Sequence, residues 1–104
     1  MKQIAFYPAD YSKIDPQIYS WAQKYKLHVL TFYKDADVRS VEIVDNSANR
    51  YQIWIDAPDE KNEVIIHAWN YKKKRIDVKS SLSDFAGKLE EVYSSVLAWE
   101  KDTK

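Results

Sequence analysis

Between residues 38 and 79 three polar turns separate stretches in which apolar and polar residues alternate, and this alternation confines the segment to an antiparallel meander. Side chains on a strand point to opposite faces with a period of two, so strands joined by a turn must bring their apolar residues to the same side. Residues 50–56 and 63–69 are joined by Ala57-Pro58-Asp59-Glu60-Lys61-Asn62. Setting Asp56 opposite Glu63 places Ile55 against Val64, Ile53 against Ile66 and Tyr51 against Ala68. The turn at residues 45–49 then sets Val41 opposite Ile53 and Ile43 opposite Tyr51. The turn at residues 70–74 sets Ala68 opposite Ile76 and Ile66 opposite Val78. All three closures yield one apolar face, which a helical period cannot do.

The flanking segments supply a second layer. Residues 2–7 alternate Ile4 and Phe6 against Gln3 and Ala5 and read as a short strand. Asp15-Pro16 reads as a helix start, with Asp15 as the cap, Pro16 in the first helical position and Ile14 with Tyr19 as a hydrophobic staple. Ile18, Trp21, Ala22 and Tyr25 form one stripe of a helix ending near Lys26, and residues 27–33 follow as a β-branched and aromatic strand. A polar turn at residues 34–37 leads into the meander. Ser81 caps a last helix reaching about Glu100, with Leu82, Phe85, Ala86, Leu89, Tyr93 and Val96 on one face and Val92 and Trp99 flanking it. The expected order is β-α-β-β-β-β-β-α over a single domain, residues 1–104. This makes an α+β two-layer sandwich, with both helices on the apolar sheet face and the other face uncovered.

Composition narrows the function classes. Sixteen basic and sixteen acidic residues cancel, which argues against a dedicated nucleic-acid binder and against an acidic DNA mimic. No cysteine is present, so disulfides and thiolate metal sites are excluded. The single glycine, Gly87, excludes glycine-rich phosphate loops, and no cofactor is expected. No stretch is apolar enough for a signal peptide or a bilayer span, so the expected setting is the cytoplasm, with no membrane partner. Four Trp and eight Tyr exceed what a core this small can hide, which places some of them at the surface, where they favour interfaces.

On this register the uncovered face displays Ser40, Glu42, Gln52, Trp54, Asp56, Ile65, His67, Trp69, Arg75 and Asp77. Trp54 stands opposite Ile65, Trp69 opposite Arg75 as a cation–π pair, and His67 between Gln52 and Asp77. Aromatic residues rimmed by charge suit a protein–protein site, while long polar neighbours, a loop or a second copy would equally shield them. His67 with Asp77 has the form of an oriented imidazole, but no Ser, Thr or Cys is placed as a nucleophile, so no catalytic residue is assigned. His28 is the second histidine, and two histidines without cysteine make a poor zinc site. Lys72, Lys73, Lys74 and Arg75 beside Tyr71 and Trp69 form the strongest local charge cluster. It suits either single-stranded nucleic acid or simply a solvated turn. Acids gather at the turns, with Asp35 and Asp37 in one and Asp56, Asp59 and Glu60 in another.

The aromatic hairpins VEIVDNSANRYQIWIDAPDE and VIIHAWNYKKKRIDV, closed by LSDFAGKLEEVYSSVLAWE, resemble small cysteine-free immunity proteins of bacterial polymorphic and contact-dependent growth inhibition toxin systems. The resemblance covers residues 38–100, about two thirds of the chain, and is one of style rather than of a strict motif. It implies a cytosolic, non-enzymatic antitoxin that masks the active site of one toxin domain, commonly a nuclease. Trp54, Ile65 and Trp69 would then be anchors, with His67 among them, and Glu42, Asp56, Asp59 and Glu60 would meet a basic cleft. A neutral chain departs from the strongly acidic members, which shifts weight from charge to aromatic anchors. The alternative reading is a single-stranded nucleic-acid-binding domain using Tyr71, Lys72, Lys73, Lys74 and Arg75.

Overall fold

The computed structural model describes residues 10–102. Its elements are α1 (Asp15–Lys24), β1 (Leu30–Tyr33), β2 (Ala36–Val44), β3 (Arg50–Ile55), β4 (Glu63–Trp69), β5 (Arg75–Ser81) and α2 (Phe85–Asp102). The strands form one antiparallel sheet in the order β1-β2-β3-β4-β5, the α+β meander expected from the alternation. The strand expected at residues 2–7 lies outside the described residues. No helix among them is long and apolar enough to cross a membrane.

Helix α2 lies across β3, β4 and β5, and α1 packs against α2. Phe85, Leu89, Val92 and Val96 are buried at four- and three-residue spacings, which keeps them on one face of α2. They meet Val41, Ile43, Tyr51, Ile53, Ile55, Val64, Ile66 and Ala68 from the sheet, and Ile14, Ile18, Trp21 and Ala22 from the α1 region. The buried stripe of α2 therefore centres on Val92, which sequence periodicity had placed on its flank, while Ala86 is exposed. Tyr93 stays partly buried, edge-on to Trp21 with ring centroids 5.7 Å apart.

Two of the three meander registers follow the turn chemistry. Val41 faces Ile53, Ile43 faces Tyr51, Ala68 faces Ile76 and Ile66 faces Val78. The β3–β4 pairing differs by two residues: Ile55 faces Ile66, Ile53 faces Ala68 and Gln52 faces Trp69. Trp54 therefore lies opposite His67 rather than Ile65. The turn itself explains the slip. The Asp59 amide donates to the Glu63 carbonyl at 3.0 Å, and the Asp59 carboxylate accepts from the amides of Lys61 and Glu63. This closes a tight turn over residues 59–63 and leaves Ala57 and Pro58 outside it, where proline has no N–H for the ladder. A shift of two preserves which face each side chain occupies, so the core is unchanged.

Asp45 and Asn70 close their turns in the same way. In each, the side-chain oxygen accepts the amides two and four residues on, and the residue's own amide donates to the carbonyl four residues on. This local bonding stands in for glycine. Ala48, Asn62 and Tyr71 take the left-handed conformation at these turns, with φ of 67°, 60° and 64°.

The helix ends also depart from expectation. Asp15 does not cap α1; Ile14 occupies the cap position without a side-chain bond. The Asp15 carboxylate is instead held by the Arg39 guanidinium on β2, at 2.7 and 3.0 Å. Ile14 is fully buried while Tyr19 is exposed, so the expected staple gives way to core packing. At the other end Lys26 is left-handed, with φ of 59°. The amides of Lys26 and Leu27 return to the carbonyls of Gln23 and Ala22, a Schellman closure that stops α1 at Lys24. Strand β1 consequently begins at Leu30 rather than Leu27, and Leu27 and Val29 serve the core. Ser81 does accept the Asp84 amide at 3.2 Å, but a further turn precedes α2, which starts at Phe85 rather than Leu82.

Ile66 is fully buried at the centre of this layer. Ile66→Ala is expected to cost about 2–5 kcal/mol, and exposed Val44→Ala about 0.5 kcal/mol or less. Urea unfolding of the two variants measures both.

Candidate functional site

The sheet face opposite the helices carries the side chains of Ser40, Glu42, Gln52, Trp54, Ile65, His67, Trp69, Arg75 and Asp77, because each alternates with a core residue on its own strand. No layer covers this face among the described residues. Its groups are organised into lateral contacts rather than left free.

At the centre, the His67 ring stacks on Trp54 with centroids 4.7 Å apart and planes 14° from parallel. His67 Nδ1 lies 2.6 Å from Asp77 Oδ1, and Nε2 lies 2.9 Å from Asp56 Oδ2. A neutral imidazole has one N–H and satisfies one carboxylate; donating to both takes a proton on each nitrogen. The expected His67–Asp77 pair is present, but Asp56 occupies the ring nitrogen that a general base would need free. The register slip produces this arrangement, since it brings Asp56 beside Ile65 through the Asp56 amide bond to the Ile65 carbonyl. The side chain of His67 is only 12% exposed, so Asp56, Asp77 and Trp54 largely enclose it.

Arg75 bonds Asp77 at 3.1–3.2 Å and lies over Trp54, 5.2 Å from the ring centre. It therefore does not form the expected cation–π pair with Trp69, because Asp77 draws the guanidinium along β5. Trp69 packs instead against Tyr71, with centroids 4.6 Å apart and planes tilted by 42°, and donates its indole N–H to the Lys72 carbonyl. Arg50 sits over Tyr71 and bonds Glu42 at 2.8 Å. Burial and a hydrogen bond to Glu42 push the Tyr71 phenol above its ordinary value.

The remaining expected site residues are dispersed. Ile65 is half-buried opposite Lys79 on β5. Asp59 is committed to its turn, where the backbone N–H of Glu63 above all holds its carboxyl below the usual range. Glu60 is exposed at the same turn. The basic cluster is divided: Lys74 pairs with Asp102, Arg75 pairs with Asp77, and Lys72 and Lys73 extend into solvent. His28 is exposed, and no three His, Asp or Glu side chains converge as metal ligands among the described residues.

One part of the surface went unmarked in the sequence. Leu30, Phe32 and Tyr33 on β1 are 43%, 57% and 58% exposed. The register of β1 on β2 is irregular between Leu30 and Phe32, so Leu30 and Tyr33 share the open face. With Trp54 and Tyr71 they line a groove of about 650 Å³. A strand apolar on both faces at the sheet edge is the signal that could have marked it.

Asp77 carries a pH prediction. Hydrogen bonds from His67 and then Arg75 hold its carboxyl below the ordinary 3.8. A depressed carboxyl contributes stability that is complete above its unfolded value and disappears as pH falls through the folded value. The stability gap between the parent and Asp77→Asn should therefore shrink as pH drops below about 4, as urea unfolding at successive pH values would show.

Comparison with protein-family models, curated proteins and solved structures finds no match to this chain.

Proposed function

We propose that this chain is a non-enzymatic immunity protein that docks its uncovered sheet face on a cognate toxin domain and masks the toxin's active site. The observation that carries the reading is a row of aromatic rings already fixed on that face. Trp54 is held by His67 and Arg75, and Trp69 by Tyr71. Rings locked before binding lose little freedom when a partner arrives, which is the property of good anchors. The exposed residues of β1 extend this aromatic surface across the groove.

The ion pairs define the mode of docking. Glu42 is paired with Arg50 and Asp56 is hydrogen-bonded to His67, so both are held in place on the face. Asp35 and Glu60, exposed at turns, and Asp37, exposed at the start of β2, remain to meet a basic cleft. The resemblance to toxin immunity proteins supplies the partner class and the cytoplasmic setting. Nuclease toxins, whose clefts are basic, fit this division between aromatic centre and acidic rim.

A second reading keeps one specific support: the Trp69–Tyr71 aromatic pair lies beside exposed Lys72 and Lys73 and could accept a base of single-stranded nucleic acid. Capture of the tagged protein from its host separates the two. A stoichiometric protein partner that is the C-terminal part of a larger secreted protein supports inhibition. RNA recovered without protein, with binding that collapses as salt rises, moves the function to the basic turn.

With the partner in hand, Trp54→Ala and Trp69→Ala should each weaken binding by about 2 kcal/mol, roughly 30-fold in Kd. Titration calorimetry measures this, and unchanged affinity in both variants would place the interface elsewhere.

A further inference from the structure

We infer that β1 is a dimerisation edge, at which a second copy of this chain adds its own β1 antiparallel to the first and joins the two sheets into one. The inference goes beyond the docking reading and does not depend on it.

The two edges of the sheet are built differently. β5 carries Arg75, Asp77 and Lys79 and packs against α2. Charged side chains and a covering helix are two ways in which natural sheets keep an edge from pairing with another chain. β1 has neither. Its residues, Leu30-Thr31-Phe32-Tyr33, include no charge and no proline, and among the described elements it packs against β2 alone. Leu30, Phe32 and Tyr33 are exposed although apolar. The outer side of β1 has no strand beside it among the described residues, so it presents a row of open backbone N–H and C=O groups.

This edge defines its occupant. Backbone donors and acceptors in a row call for a strand, and an edge without charge calls for a strand that is itself uncharged. Among the described strands only β1 combines an uncharged sequence with an open edge. A second copy therefore meets the requirement with its own β1, and a two-fold axis lets each strand satisfy the other. Pairing centred on Thr31 sets Leu30 opposite Phe32 of the second copy. Pairing centred on Phe32 would set Leu30 opposite Lys34 instead.

Charge favours the antiparallel arrangement. Lys26 is exposed before β1 and Asp35 after it, and neither side chain has an ion-pair partner among the described residues. Antiparallel pairing brings the Lys26 end of each strand to the Asp35 end of the other, twice about the axis, whereas parallel pairing would set like charges together. The zero net charge of the chain puts no long-range repulsion between two copies.

The dimer has a consequence for the open face. A two-fold that pairs edge strands antiparallel stands perpendicular to the sheet, because residues directly opposite each other share a face. Both helical layers therefore lie on one side, and Trp54 and Trp69 appear twice on one continuous face on the other. Asp35 is drawn into the dimer, which leaves Asp37 and Glu60 to meet a basic cleft.

Sedimentation velocity of the full chain from micromolar to millimolar concentration tests the inference. The parent is expected to pass from monomer to dimer as concentration rises. Phe32→Lys, at an exposed position, is expected to keep the parent circular dichroism and remain monomeric throughout, while Leu97→Lys on α2 still dimerises. Lys26→Glu is expected to weaken the dimer by about fivefold and Lys26→Glu with Asp35→Lys to restore it. A parent that stays monomeric at millimolar concentration, a dimer that survives Phe32→Lys, or a double charge exchange that restores nothing overturns the inference. Capture of a toxin decides the inhibitor reading separately, so failure here leaves that reading standing.

Discussion

Burial of one sheet face against α2 is the constraint on which the rest of this structure depends. Eight sheet side chains from Val41 through Ala68 join the helical residues in one core. Because strand side chains alternate, fixing those eight inward also fixes Trp54, His67 and Trp69 outward. The candidate site is thus a consequence of the core rather than an addition to it. A pairing slip of one residue would turn the face over and cost the core. A slip of two costs it nothing, which is why the β3–β4 ladder was free to adopt the register its turn preferred.

That freedom decided the chemistry of the open face. With Ile65 opposite Trp54, the centre would have been an apolar patch flanked by a histidine–aspartate pair. With His67 opposite Trp54, the imidazole stacks on the indole and is bracketed by carboxylates from the β3–β4 turn and from β5. The result is a connected surface of Asp56, His67, Asp77, Arg75 and Trp54, in which neither ring nitrogen is available for proton transfer to a substrate. Such a face is suited to binding. Its polar groups are hydrogen-bonded to one another, Asp56 and Asp77 to His67 and Asp77 also to Arg75.

The turns show how a chain with one glycine builds four tight connections in its sheet. Asp45, Asp59 and Asn70 each fold the backbone around a side-chain oxygen, and non-glycine residues accept the left-handed positions that result. This local bonding compensates for the strain at Ala48, Asn62 and Tyr71. It also commits Asp59, which composition alone would offer to a basic partner, to a structural task.

The sequence by itself determined the α+β class, the meander, the faces of its strands and the membership of most of the core. These depend on the period of hydrophobicity and on turn residues, both of which act over a few positions. It also identified His67 with Asp77, since that pair follows from the short β4–β5 turn. Only the tertiary structure decided the β3–β4 register, because two registers of equal parity bury the same residues and local bonding around Asp59 and Pro58 chooses between them. It decided that Asp15 would serve Arg39 rather than its helix, since the guanidinium arrives from residues distant in sequence. It left β1 exposed, because the helical layer does not reach that edge of the sheet, and no pattern along the chain records where that layer ends.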